Sequence, residues 1–197
     1  PALQSGPDAQ VSYDGLVKVD NTRLDSAWIR PGIDLSGYDK LILAGAGIKY
    51  RSVREMSRIN LTNYSGFPLD DAQQDYVQRA VVDVFTRGIS STDRFEIVTE
   101  PGPDTLTLTG SLINVVSNVP PVDGRVDQVY FYITQLGEAT LVLELSDSES
   151  GQVLARASDR RILDQSQRDV GADIITTRFE FERELNLWIS SIRNALE

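Results

Sequence analysis

The chain has 197 residues, of which 41% are hydrophobic and 24% charged, which suits one sizeable folded core and excludes a disordered chain. Its net charge of −10 and sequence pI near 4.5 oppose non-specific binding to nucleic acid or anionic membrane, and no apolar run approaches the roughly 20 residues needed to cross a bilayer. The sequence holds no Cys and no His, which excludes thiol nucleophiles, Ser-His-Asp triads and the usual zinc sites, so any catalysis would rest on carboxylates, Lys, Tyr or Ser.

The opening is polar and rich in small residues. Residues 1–10 read as a flexible tether, and 11–197 as a single α+β domain. The chain begins at Pro1 without Met and is expected to be a processed or truncated product. Tyr13-Asp14-Gly15 reads as a turn, and Leu16, Val17 and Val19 as a short edge strand. Trp28 and Ile29 are candidate core anchors. Arg30-Pro31-Gly32 is a turn, because Pro restricts the residue before it and Pro-Gly suits a turn.

Residues 38–46 form the first strand. Leu41-Ile42-Leu43 is a continuous apolar run, as in a central strand covered on both faces. Gly45 and Gly47 follow. A dinucleotide fingerprint would need a third Gly where Tyr50 stands, and a helix opening at once, so the pair reads as a bulge or close backbone approach. No cofactor motif remains. Lys49, Arg51, Arg54 and Arg58 then form the most basic run of the chain, opposed only by Glu55. They are the candidate anion-binding residues; the alternative is pairing within the chain to its excess carboxylates.

The first helix opens near Pro68 or Leu69. Asp70 and Asp71 suit its positive end, and Leu69, Ala72, Tyr76, Val77, Ala80, Val81, Val84 and Phe85 share one stripe. Arg87-Gly88 reads as its last-turn cation and C-cap. Residues 95–99 are a short strand. From Thr105 the chain alternates: Leu106, Leu108 and Leu112 point one way, and Thr105, Thr107, Thr109 and Ser111 the other. Residues 128–134 and 138–147 read as further strands. Asp147, Glu149 and Gly151 weakly echo a calcium loop, but the first acid and the distal Glu are missing, which favours a hairpin turn. The strand at 152–163 carries Asp159-Arg160-Arg161, charges suited to an edge. The last helix starts at Ile174 or Thr176. Phe181, Leu185, Trp188 and Ile192 form its apolar stripe, Phe179, Leu187 and Ile189 widen it, and Glu180, Glu182, Arg183 and Glu184 form its solvated side.

The expected fold is therefore α+β: a single mixed sheet with two long helices on one face, in the order β-α-β-β-β-β-β-α. Tyr13-Asp14-Gly15-Leu16, then Arg30-Pro31-Gly32 with Asp34-Leu35-Ser36 and Tyr38, then the apolar strand, resemble the start of the DUF3313 family of bacterial lipoprotein-like proteins of unknown function. The resemblance implies a periplasmic chain whose precursor carries a lipid anchor to the outer membrane, absent from this chain. By fold-level analogy the order is also similar to small α/β domains of envelope lipoproteins such as the TolB N-terminal and curli-secretion types.

Three functions stay open from sequence. One is a non-catalytic envelope protein that binds a protein partner or itself, with no nucleic-acid role. Another is a module for an anionic envelope ligand at Lys49, Arg51, Arg54 and Arg58. The third is a carboxylate hydrolase, which would need two acids roughly 5–10 Å apart, with Asp34, Asp39 and Asp83 as candidates.

Overall fold

A computed structural model of the chain describes residues 1–53, 66–119, 135–164 and 174–196. The strands are β1 (Ala2–Leu3), β2 (Val17–Asp20), β3 (Ser26–Ile29), β4 (Lys40–Tyr50), β5 (Glu96–Ile97), β6 (Thr105–Ser117), β7 (Gln135–Asp147) and β8 (Val153–Asp164). The helices are α1 (Asp71–Ser90), between β4 and β5, and α2 (Ile174–Leu196) at the end. The strands form one mixed sheet in the order β1-β2-β3-β8-β7-β6-β4-β5. The fold class is the expected one; the short strand read at Leu16 to Val19 is β2, paired on both sides and not an edge, and β1 and β3 are added ahead of β4. The strand read at 128–134 lies outside the described residues.

Period-two patterning fixes the faces. Leu106, Leu108 and Leu112 of β6 are buried in one core with Leu141, Leu143 and Leu145 of β7, Val77 and Val84 of α1, and Leu185, Trp188 and Ile192 of α2. Strands β6, β7 and β8 form an antiparallel meander. The crossover through α1 makes β4 parallel to both β5 and β6. Between Gly45 and Gly47 the β4–β6 register shifts, which is the bulge that the two glycines suggest. Gly47 has φ 93°, a conformation that other residues rarely adopt.

Four expectations are corrected. First, β4 is not central. It lies next to the edge, and β5 covers only Lys40 and Leu41. Second, Arg87-Gly88 does not end α1. The helix continues to Ser90, and Gly88 is a contact point, because a Cβ there would stand 2.2 Å from Ile189 Cγ2 of α2. Third, the polar side of α2 is turned from where it was expected. Glu180 and Glu184 are buried, with Arg183 and Arg161 beside them, while Phe179 and Leu187 are exposed. Arginine partners let carboxylates enter the flank of an apolar stripe. The Arg183–Glu180 pair, at 2.9 Å, is a close charge contact without an aligned N–H. Fourth, β8 is an edge only in its second half. Its first half pairs with β3, from Ala155 to Ser158. Beyond that, the Asp25 carboxylate accepts from the Arg160 N–H at 2.8 Å, taking the place of a strand.

The start of the chain is bound to the sheet. Ala2 and Leu3 pair with β2. The turn at Tyr13-Asp14-Gly15 closes through the Gly15 N–H to the Ser12 carbonyl, with Gly15 at φ 83°. Leu16 beside it is fully buried. Arg156 of β8 holds both Asp14, at 2.8 Å, and Glu144, at 2.9 Å, and lies over the Tyr13 ring. The Ser12 hydroxyl and the Arg156 guanidinium lower the Asp14 pKa below the usual carboxylate value. Arg30 donates to the carbonyls of Val153 and Asp14, so the turn at Pro31-Gly32 is pinned to β8.

Candidate functional sites

Of the four candidate anion-binding residues, Lys49 and Arg51 are among the described residues. Lys49 is exposed near the end of β4. Arg51 follows β4. Its N–H donates to the Val115 carbonyl at 2.9 Å, and its guanidinium pairs with Glu138, which also pairs with Arg160. Arg54 and Arg58 lie outside the described residues. The other sequence candidates are each engaged locally. Asp34 accepts from the Ser36 N–H, which lowers its pKa, and Asp83 pairs with Arg87 one turn on. Asp39 uses its backbone, accepting from Glu96 and donating to Asp104. In the hairpin turn, Asp147 accepts from the Ser150 N–H and hydroxyl and from the Tyr38 hydroxyl, as a turn-forming residue does. No group of three or more acidic residues among those described is arranged to hold a metal ion.

Two surfaces carry more information. The first is the outer edge of β4. The Val98 N–H donates to the Leu41 carbonyl, so Leu41 faces β5. By strand alternation Leu43 and Gly45 turn their N–H and C=O the same way, where no described strand meets them. From Leu43 to Ile48 the strand carries no charge and no Pro. Between this edge and α1 runs an apolar groove of about 200 Å³, lined by Leu43, Ile48, Val81, Val82 and Phe85. Its floor is open because Gly45 and Gly110 have no side chains, and nothing lies within 4 Å of a Cβ built at Gly45. Exposed Val82 forms its rim.

The second is a cleft of about 350 Å³ at the other end of the helix layer. The start of α1, the first turns of α2 and the ends of β6, β7 and β8 enclose it. A capping box sets the α1 terminus: Asp70 accepts from the Gln73 N–H, and the Gln73 side chain accepts from the Asp70 N–H. Tyr76 donates to Glu182 at 2.5 Å, and Arg178 lies over its ring at 4.5 Å. Burial, with the Glu182 carboxylate beside it, raises the Tyr76 pKa and keeps the phenol protonated. This cleft has no counterpart in the sequence pattern, since its walls come from five separate elements.

No curated protein matches the chain by sequence. Among solved structures, protein XCC0632 from Xanthomonas campestris is 12% identical, with 87% of this chain and 89% of that chain covered and a TM-score of 0.41. A PelC dodecamer from Paraburkholderia phytofirmans is 11% identical over 84% and 96%, with a TM-score of 0.39. Protein CT253 from Chlamydia trachomatis is 10% identical over 78% and 95%, with a TM-score of 0.35. At these values the likeness carries no functional argument. No helix among the described residues is long and apolar enough to cross a membrane. The family model for proteins of unknown function DUF3313 matches residues 7–172, and the chain belongs to that family.

Proposed function

We propose that this chain is a non-catalytic protein of the bacterial cell envelope that binds another protein by strand addition at β4. The observation that carries this reading is the uncharged outer edge of β4 from Leu43 to Ile48, beside the apolar groove under α1. An extended partner strand would satisfy the outward N–H and C=O groups and place alternate apolar side chains against Val81, Val82 and Phe85. The bulge at Gly45 and Gly47 would fix its register. The anion-binding alternative has less support, since Arg51 is held by Glu138.

Gly45→Lys is the test. Its Cβ meets open space, so the fold should keep its melting temperature, while a charged side chain rising from the groove floor beside the edge blocks a new apolar strand. A partner captured from envelope extract by the wild type should be lost with Gly45→Lys. Its addition should slow amide exchange at Leu43 and Gly45. Capture indifferent to the substitution, or exchange that does not change, would reject the β4 edge.

The envelope placement rests on the resemblance of the N-terminal motifs, and we propose an outer-membrane lipid anchor in the precursor. The full-length precursor, expressed in bacteria and fractionated, should sediment with the outer membrane. Recovery in the cytoplasmic fraction would overturn this placement.

A further inference from the structure

We propose that the cleft between α1, α2 and the ends of β6 to β8 binds a single-chain amphiphile: a hydrocarbon of about a dozen carbons with an anionic head. This is independent of the β4 reading, because the cleft lies elsewhere and uses different residues.

The apolar part of the site is deep. Val77, Val115, Leu136, Ala139, Leu163 and Phe181 form the inner walls, and all six are buried in the fold. A dry apolar cavity of about 150 Å³ is large enough for a six-carbon ring. The cleft holds about 350 Å³, which on that scale takes roughly a dozen carbons. No polar side chain is needed along such a chain.

The rim supplies the sign of the head group. Arg178 lines the cleft, and its guanidinium makes no ion pair among the described residues; it stacks on Tyr76. The Gln73 amide oxygen is engaged in the capping box, which leaves its NH₂ as a donor at the same rim. Carboxylates also stand at the cleft, and each is engaged: Glu182 accepts from the Tyr76 hydroxyl at 2.5 Å. Asp70 is bound to the Gln73 N–H, and Glu138 is shared by Arg51 and Arg160. A cationic head would meet Arg178; an anionic head gains a charge-assisted hydrogen bond from it.

The test is calorimetric titration of the full chain with dodecanoate, decanoate and octanoate below their micelle concentrations, and with dodecyltrimethylammonium. Dodecanoate should bind saturably at one site per chain. Each methylene removed should weaken binding about four-fold. Arg178→Gln, at an exposed position, should leave the melting temperature unchanged and weaken dodecanoate binding about ten-fold. Ala139→Leu, which adds volume inside the cleft, should abolish binding. Absence of saturable dodecanoate binding would overturn the proposal, including the case where the chain's own residues fill the cleft. So would an affinity flat with chain length, equal binding of the cationic amphiphile, or dodecanoate binding indifferent to Arg178→Gln.

Discussion

Asp159→Ala is expected to lower the unfolding free energy by about 3–5 kcal/mol. Asp159 is only 4% exposed, on the helix side of β8. Its carboxylate accepts from the Trp188 indole at 2.8 Å, from Arg161 Nε at 2.6 Å and from the Asp25 N–H at 3.1 Å. Removing it leaves a buried indole N–H and an arginine without their acceptor, beneath a Trp that is 1% exposed. An orphaned buried donor costs more than the net worth of the bond it made. Asp159→Asn retains the volume but turns an N–H₂ toward donors, so it should fall between wild type and Ala. Urea unfolding measures both. A loss below about 1 kcal/mol for the Ala variant would show that water or rearrangement replaces the carboxylate, and that the cluster is not the joint between α2, β8 and the segment ahead of β3.

Gly88→Ala reverses the usual sign. On an open helix surface that change stabilises by about 1 kcal/mol. Here the new Cβ would stand 2.2 Å from Ile189 Cγ2 and 3.2 Å from its Cβ, so α1 and α2 must move apart. The expected result is a loss of about 1–3 kcal/mol, typical of an overpacked contact. Ile189→Ala alone opens a void, with a loss of about 2–5 kcal/mol. Combined, the two should cost clearly less than their sum, because each relieves the other. Thermal and urea unfolding of the four chains of this cycle give the coupling energy directly. Simple additivity would mean that the helices do not meet through these two residues.

Both positions mark where local pattern stops informing. The alternation of Thr105 to Leu112 in β6 gave its two faces, and the stripe in α1 gave its buried side, since each depends only on neighbouring residues in sequence. The turns at Tyr13-Asp14-Gly15 and Pro31-Gly32 were legible for the same reason. Gly88 at a helix end reads as a cap until a second helix is known to cross there. Glu184 reads as solvated until Arg161, on strand β8, is known to stand beside it. Asp159 looks like edge protection until Trp188 closes over it. Of the candidate sites, the β4 edge was half visible: its apolar run and paired glycines stand in the sequence, whereas its open outer side depends on strand order. The basic run was visible as charge, but the Arg51–Glu138 pair joins the residue after β4 to strand β7. The cleft between the helices has no local signature.

The two borders of the sheet are unequal, and that inequality limits how chains of this kind can be linked. At one border stands β1, two residues long and already paired with β2; at the other stands β5, equally short, past which the longer outer flank of β4 meets no described strand. Head-to-tail growth through these two borders needs a complementary strand of useful length at each, and the described residues supply one at the β4 border alone. Two copies joined by their borders would therefore meet β4 to β4 across a two-fold axis, and the assembly would close there without extending into a fibre.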